Sequence, residues 1–99
     1  MRVKITRSAE RDLGEIAAWI AAENRSRAVS FVRELRDKCL TLGSQPKRYP
    51  LVRNLGGYEI RKRTHAHYLI LFFVMADHVE IAHVVHGSRD WMSLLGSNE

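Results

Sequence analysis

Residues 67–74 read His67-Tyr68-Leu69-Ile70-Leu71-Phe72-Phe73-Val74, and this stretch decides the fold. The run is strongly apolar but far short of the ~18 residues of a membrane span. Its aromatic and aliphatic content reads as a strand over about 67–75, central in a sheet. Before it, Tyr58-Glu59-Ile60-Arg61-Lys62-Arg63 reads as a strand over about 58–64. After it, Ala76-Asp77-His78 is a turn, and an alternating run gives a strand over about 78–86. There Val79, Ile81 and His83 share one face, and Glu80, Ala82 and Val84 the other. Short connections make these three strands an antiparallel meander.

The N-terminal half carries a different period. Arg2-Val3-Lys4-Ile5-Thr6 alternates as a half-buried strand over 2–6. Ser8 offers an N-cap oxygen. Ala9, Leu13, Ile16, Ala17 and Ile20 then form one face of a helix over about 8–22. Trp19 lies beside that stripe and is expected to cover its edge. Glu23-Asn24-Arg25-Ser26 is a polar break in which Asn24 or Ser26 caps the next helix. Ala28, Phe31, Val32, Leu35, Cys39 and Leu42 define that helix over about 26–42. Glu34 and Lys38 are spaced for an outer-face ion pair. Gly43 reads as a C′ glycine, with Pro46 beyond it.

Residues 43–57, GSQPKRYPLVRNLGG, read as a loop, and residues 88–99 as a tail or short helix. The whole chain, 1–99, is then one α+β domain of order β-α-α-β-β-β. A small antiparallel sheet packs one face on the helical hairpin, because neither layer alone buries its apolar side. The other sheet face is free to display a basic surface.

Composition narrows the classes further. Of 99 residues, 45% are hydrophobic and 27% charged, which excludes disorder and low-complexity structure. One cysteine excludes an internal disulfide and a thiolate zinc cluster. With no apolar segment near the N-terminus, the chain reads as cytoplasmic, without a secretory signal or membrane span. The net charge is +5, and residues 46–76 hold six basic residues against the single acid Glu59. Such a balance suits an acidic partner, whether nucleic acid or protein.

Five histidines, His65, His67, His78, His83 and His86, lie in the β half, yet no ligand spacing joins them, so no metal or cofactor is expected. His65 and His67 share a face if the strand is regular there. Cys39 falls on a helix's apolar stripe, which reads as an inert core thiol. Acid–base chemistry on RNA needs a base beside a phosphate-clamping cluster. Arg61, Lys62, Arg63, His67, Tyr68, His86 and Arg89 supply those group types without forming a motif.

Four stretches together resemble the RelE/ParE superfamily of bacterial toxins: AERDLGEIAAWI (9–20), RAVSFVRELRDKCLTLGSQPKRYP (27–50), IRKR with YLILFFV (60–74) and IAHVVHGSRD (81–90). The resemblance runs from about residue 3 to residue 91. It implies the toxin of a type II toxin–antitoxin module, causing growth arrest or plasmid stabilisation. The partner it implies is a cognate ParD-like antitoxin whose acidic segment folds across the toxin in a hetero-oligomer.

Within the superfamily, RelE-like members cut messenger RNA on the ribosome, and ParE-like members inhibit DNA gyrase. Of the positions that carry the nuclease set, Arg61 and Arg89 match. Glu59, Tyr68 and Leu95 stand where the nucleases have basic, arginine and tyrosine residues. The HGSRD ending and the long second helix look more like ParE. The resemblance therefore implies a gyrase inhibitor with Arg61, Lys62, Arg63, Arg89 and Trp91 facing the target. It implies Trp19, Phe31 and Leu35 as antitoxin contacts wherever they are exposed. The alternative is a metal-independent mRNA nuclease using Arg61, His67, His86 and Arg89.

Overall fold

The computed structural model describes residues 1–95. Strand β1 (Arg2–Ile5) leads into helix α1 (Arg7–Ala21) and helix α2 (Arg25–Leu40), followed by two short 3-10 turns, Thr41–Gly43 and Pro46–Arg48. Strands β2 (Leu51–Leu55), β3 (Tyr58–His65), β4 (Tyr68–Val74) and β5 (His78–His86) follow, and a 3-10 turn spans Met92–Leu95. The sheet order is β1-β5-β4-β3-β2, with β4 in the centre as its apolar run requires. All neighbours are antiparallel except β1 and β5, which run parallel. The expected α+β layering stands, enlarged by one strand and one parallel pairing.

That extra strand corrects the reading of 43–57 as a loop. Leu51–Leu55 pairs with β3 through a two-residue turn, Gly56-Gly57, with φ of 57° and 89°. Positive φ at both positions is what a tight hairpin of this twist demands, and glycine meets it without strain. Pro50 sits just before the edge strand, where a missing N–H costs no ladder bond, and its carbonyl accepts from Lys62 N at 3.1 Å.

The helix ends differ in detail from the sequence reading. Thr6, not Ser8, caps α1: its Oγ1 accepts from Ala9 N at 3.2 Å and donates to the Ile81 carbonyl at 2.7 Å. One hydroxyl therefore ends the helix and fastens it to β5. Asn24 caps α2 by accepting from Arg27 N at 2.9 Å. Glu34 bonds Arg27 and His65 rather than Lys38. Gly43 is required by close approach, since a Cβ there would collide with the Met1 carbonyl.

Two apolar clusters flank the sheet. The inner one joins Leu13, Ile16, Phe31 and Leu35 of the helices to Ile70, Phe72, Val79, Ile81 and Val84. The outer one holds Ile60, Leu69, Leu71 and Val85 beneath Trp91, Leu94 and Leu95. The centre of the outer face is therefore apolar and covered by the tail, and its basic residues, such as Lys62 over the Trp91 ring, stand around that cluster. Val84 reaches the inner side because β5 bulges: Phe72 pairs with Ile81, but Leu71 pairs with His83. The extra residue, Ala82, breaks the expected alternation. Asp12 of α1 holds the bulge, its Oδ2 accepting from Val84 N at 2.9 Å and meeting His83 Nδ1 at 2.9 Å.

Two outcomes follow from these contacts. Asp12→Ala leaves the Val84 N–H without its acceptor, and urea unfolding should show a loss of about 1–3 kcal/mol. At the β1–β5 edge, hydrogen bonds that the His78 ring donates to Asp77 first, then to Glu80, raise the His78 pKa above the ordinary histidine value. The stability this group adds is complete below the unfolded pKa and disappears as pH rises through the folded one. An NMR titration should place the His78 midpoint above that of a model imidazole, and Asp77→Asn should bring it down.

Candidate functional site

A broad concavity lies between the two helices. Ala17, Ala18 and Ala21 of α1 face Ala28, Val29 and Val32 of α2 across a trough of about 690 Å³. Short side chains here leave the valley between the helices unfilled. Arg25, Arg33 and Arg36 rim it from α2. Arg36 is held by a two-pronged ion pair to Glu10, both bonds 2.8 Å, and this guanidinium lowers the Glu10 pKa. Among the described residues, Arg25 and Arg33 have no ion-pair partner. The trough thus combines an apolar floor with two uncommitted cations. Sequence reasoning missed it because it places Ala17, Ala28 and Val32 on the core-facing stripes and gives Ala18, Ala21 and Val29 no role. The usable signal was their clustering on the facing flanks of a helix hairpin.

The structure separates the proposed antitoxin contacts. Trp19 is 78% exposed and does not shield the stripe beside it. Phe31 and Leu35 are buried against the sheet and offer no surface, because the stripe that suggested them is the stripe that makes the core.

The basic strand is divided as well. Arg61 and Arg63 lie on the helix side of β3, and Lys62 points to the outer face, 5.5 Å over the Trp91 ring. Arg61 Nε donates to Glu59 at 3.0 Å, and its Nη1 donates to the carbonyls of Lys47 and Tyr49 at 3.1 and 2.6 Å. Arg61 thereby fastens the segment before β2 to the sheet. Arg63 donates to the Lys38 carbonyl at 3.1 Å and to Thr41 Oγ1 at 2.8 Å, closing the end of α2.

The histidines go separate ways. The turn between β3 and β4 sends His65 to Glu34 and Phe31, and His67 onto the ring of His86, 5.9 Å away. His86 Nδ1 accepts from Ser88 N at 3.1 Å and lies 2.8 Å from Ser88 Oγ. Arg89 shares a small cavity of about 160 Å³ with Trp19, Tyr68 and His86. His67, His86 and Arg89 thus gather at one end of the sheet. Arg61 sits opposite Phe72, four positions along β4 from Tyr68, the residue that pairs with His86. Four residues of strand span about 13 Å. The alternative nuclease set is therefore not one constellation. No three potential metal-ligating side chains converge among the described residues. No helix among them is long and apolar enough to cross a membrane.

These features define a small α+β domain that carries an apolar, arginine-rimmed helical trough. Residues 3–91 match the model for the ParE toxin of the type II toxin–antitoxin system, parDE, and the chain belongs to that family. No curated protein matches it. The fold is similar to a solved structure described as "Chromosomal ParDE TA system from P. aeruginosa", at TM-score 0.71 and 17% identity. That likeness covers 87% of this chain and 95% of the other.

Burial pushes the Cys39 thiol pKa up to about 12. A thiol reagent at mildly alkaline pH should leave native Cys39 unmodified and label it at once in denaturant.

Proposed function

We propose that this ParE-family chain arrests growth by inhibiting DNA gyrase in the cytoplasm, and that an antitoxin neutralises it by seating an acidic amphipathic helix in the α1–α2 trough. The observation that carries the antitoxin reading is the trough itself. Six small aliphatic side chains offer an apolar seat, and Arg25 and Arg33 offer charge to carboxylates on the partner helix. Trp19, 78% exposed, lies outside this trough, on the side of α1 that carries Asp12 and Glu15, and is a separate candidate contact.

Family membership supports gyrase as the target. The inward commitment of Arg61 argues against phosphate chemistry at the alternative nuclease set. Arg61 and Arg63 serve the fold from the helix side of β3, and the exposed Arg89, with Trp91 and the Lys62 over its ring, makes contact with the target. Arg61→Ala is then expected to act through loss of structure as much as through loss of contact.

Purified gyrase should lose supercoiling activity and accumulate cleaved DNA when this protein is added. Ribosome-programmed mRNA should stay intact under the same conditions. Codon-phased mRNA cuts with unaffected gyrase would reverse the target assignment. In the same preparation, Val29→Glu should weaken neutralisation by the cognate antitoxin at least tenfold, about 1.4 kcal/mol, with gyrase inhibition unchanged. Val29 is 60% exposed, so the substitution leaves the core intact.

A further inference from the structure

A second cleft, of about 520 Å³, opens between the C-terminal half of α2, the two 3-10 turns and β3. It is polar, lies apart from the helical trough, and has a size ordinary for a small-molecule site. Its walls differ in charge. Lys38, Arg48 and Arg63 stand on its lining with the hydroxyls of Thr41 and Ser44, and Glu34 and Asp37 supply carboxylates.

Most of these groups have work inside the chain. Arg63 is spent on the Lys38 carbonyl and Thr41 Oγ1, and its guanidinium lies 5.1 Å from the Tyr49 ring. It thereby offsets the negative pole at the end of α2, which would otherwise repel an anion. Glu34 is held by Arg27 at 2.8 Å and His65 at 3.2 Å. Arg48 lies 5.5 Å from the same Tyr49 ring and has no ion pair among the described residues. The Lys38 ammonium and the Asp37 carboxylate are likewise without an ion pair among them. The cleft is therefore left with two free cations, a serine hydroxyl and one free carboxylate.

We propose that this cleft binds a guanine nucleotide, with the phosphate on Lys38 and Arg48 and the base edge on Asp37. A plain polyanion would meet the Asp37 charge at close quarters. A nucleotide brings both complements in one molecule. Its phosphate is the natural acceptor for a guanidinium and an ammonium. Guanine offers two adjacent N–H donors on one edge, which match the two oxygens of a carboxylate, whereas uracil offers a single N–H between two carbonyls. The proposal does not depend on the target or antitoxin assignments above.

The test titrates the full-length protein with GMP, UMP and a short single-stranded oligonucleotide ending in a guanosine 5′-phosphate. Binding is followed by calorimetry and by NMR shifts at residues 37–49. GMP should bind at least tenfold tighter than UMP. Arg48→Ala should weaken GMP at least tenfold, and Asp37→Asn should bring GMP and UMP within about twofold of each other. Both side chains are exposed, so circular dichroism and the melting temperature should match the parent. An oligonucleotide that binds tighter than GMP assigns the cleft to nucleic acid, and tighter GMP assigns it to the free nucleotide. No binding at millimolar GMP, equal affinity for GMP and UMP, or an Arg48→Ala variant that binds GMP normally would each overturn the proposal.

Discussion

One carboxylate on α1 holds the two layers of this protein in phase. Asp12 accepts the Val84 N–H and meets His83 at the point where β5 carries one residue too many. The bulge turns Val84 towards the helices and Val85 towards the outer cluster, so both faces of β5 contribute to a core. A buried N–H exposed by the bulge would cost free energy if left unpaired. The helix supplies the acceptor, and in doing so sets where α1 lies on the sheet. Thr6 repeats the device at the N-cap, joining the start of the same helix to the Ile81 carbonyl.

The positive charge of the chain divides into two kinds. Arg61 and Arg63 act as mortar: their planar donors reach backbone carbonyls that the 3-10 turns and the end of α2 leave without ladder partners. Their charge is real but aimed inward. Arg25, Arg33 and Arg48 have no such duty and carry the charge that a partner would feel. An arginine's place in the count of net charge therefore says little about its availability. Hydrogen-bond demand in the neighbouring backbone decides that, and a one-dimensional sequence hides it.

This division explains which features were legible in the sequence. The run at 67–74 and the 3.6-residue stripes of both helices are local patterns and formed as read, except that Leu42 falls in a 3-10 turn beyond α2, and of the two caps offered for α2 the structure uses Asn24. Strand β2 was masked by Pro46 and Pro50, although the Gly56-Gly57 pair that closes its hairpin was in view. The β5 bulge has no local signal, since Asp12 lies far away in sequence. Phe31 and Leu35 show the opposite error: apolar periodicity marks what is buried, and a binding surface built of alanines leaves almost no trace in it. The family resemblance, carried by whole stretches, survived all of these local misreadings.

The parallel pairing of β1 with β5 joins residues 2–5 to residues 78–81. The first strand therefore has no edge to pair with until the last strand exists. Through Thr6 and Asp12, α1 is also fastened to residues 81–84. During synthesis the helical hairpin emerges with its apolar stripe uncovered and must wait for the sheet that will cover it. Long-range closure of this kind slows folding. A growing chain thus spends most of its translation without the shape described above, and acquires it only when β5 has left the ribosome.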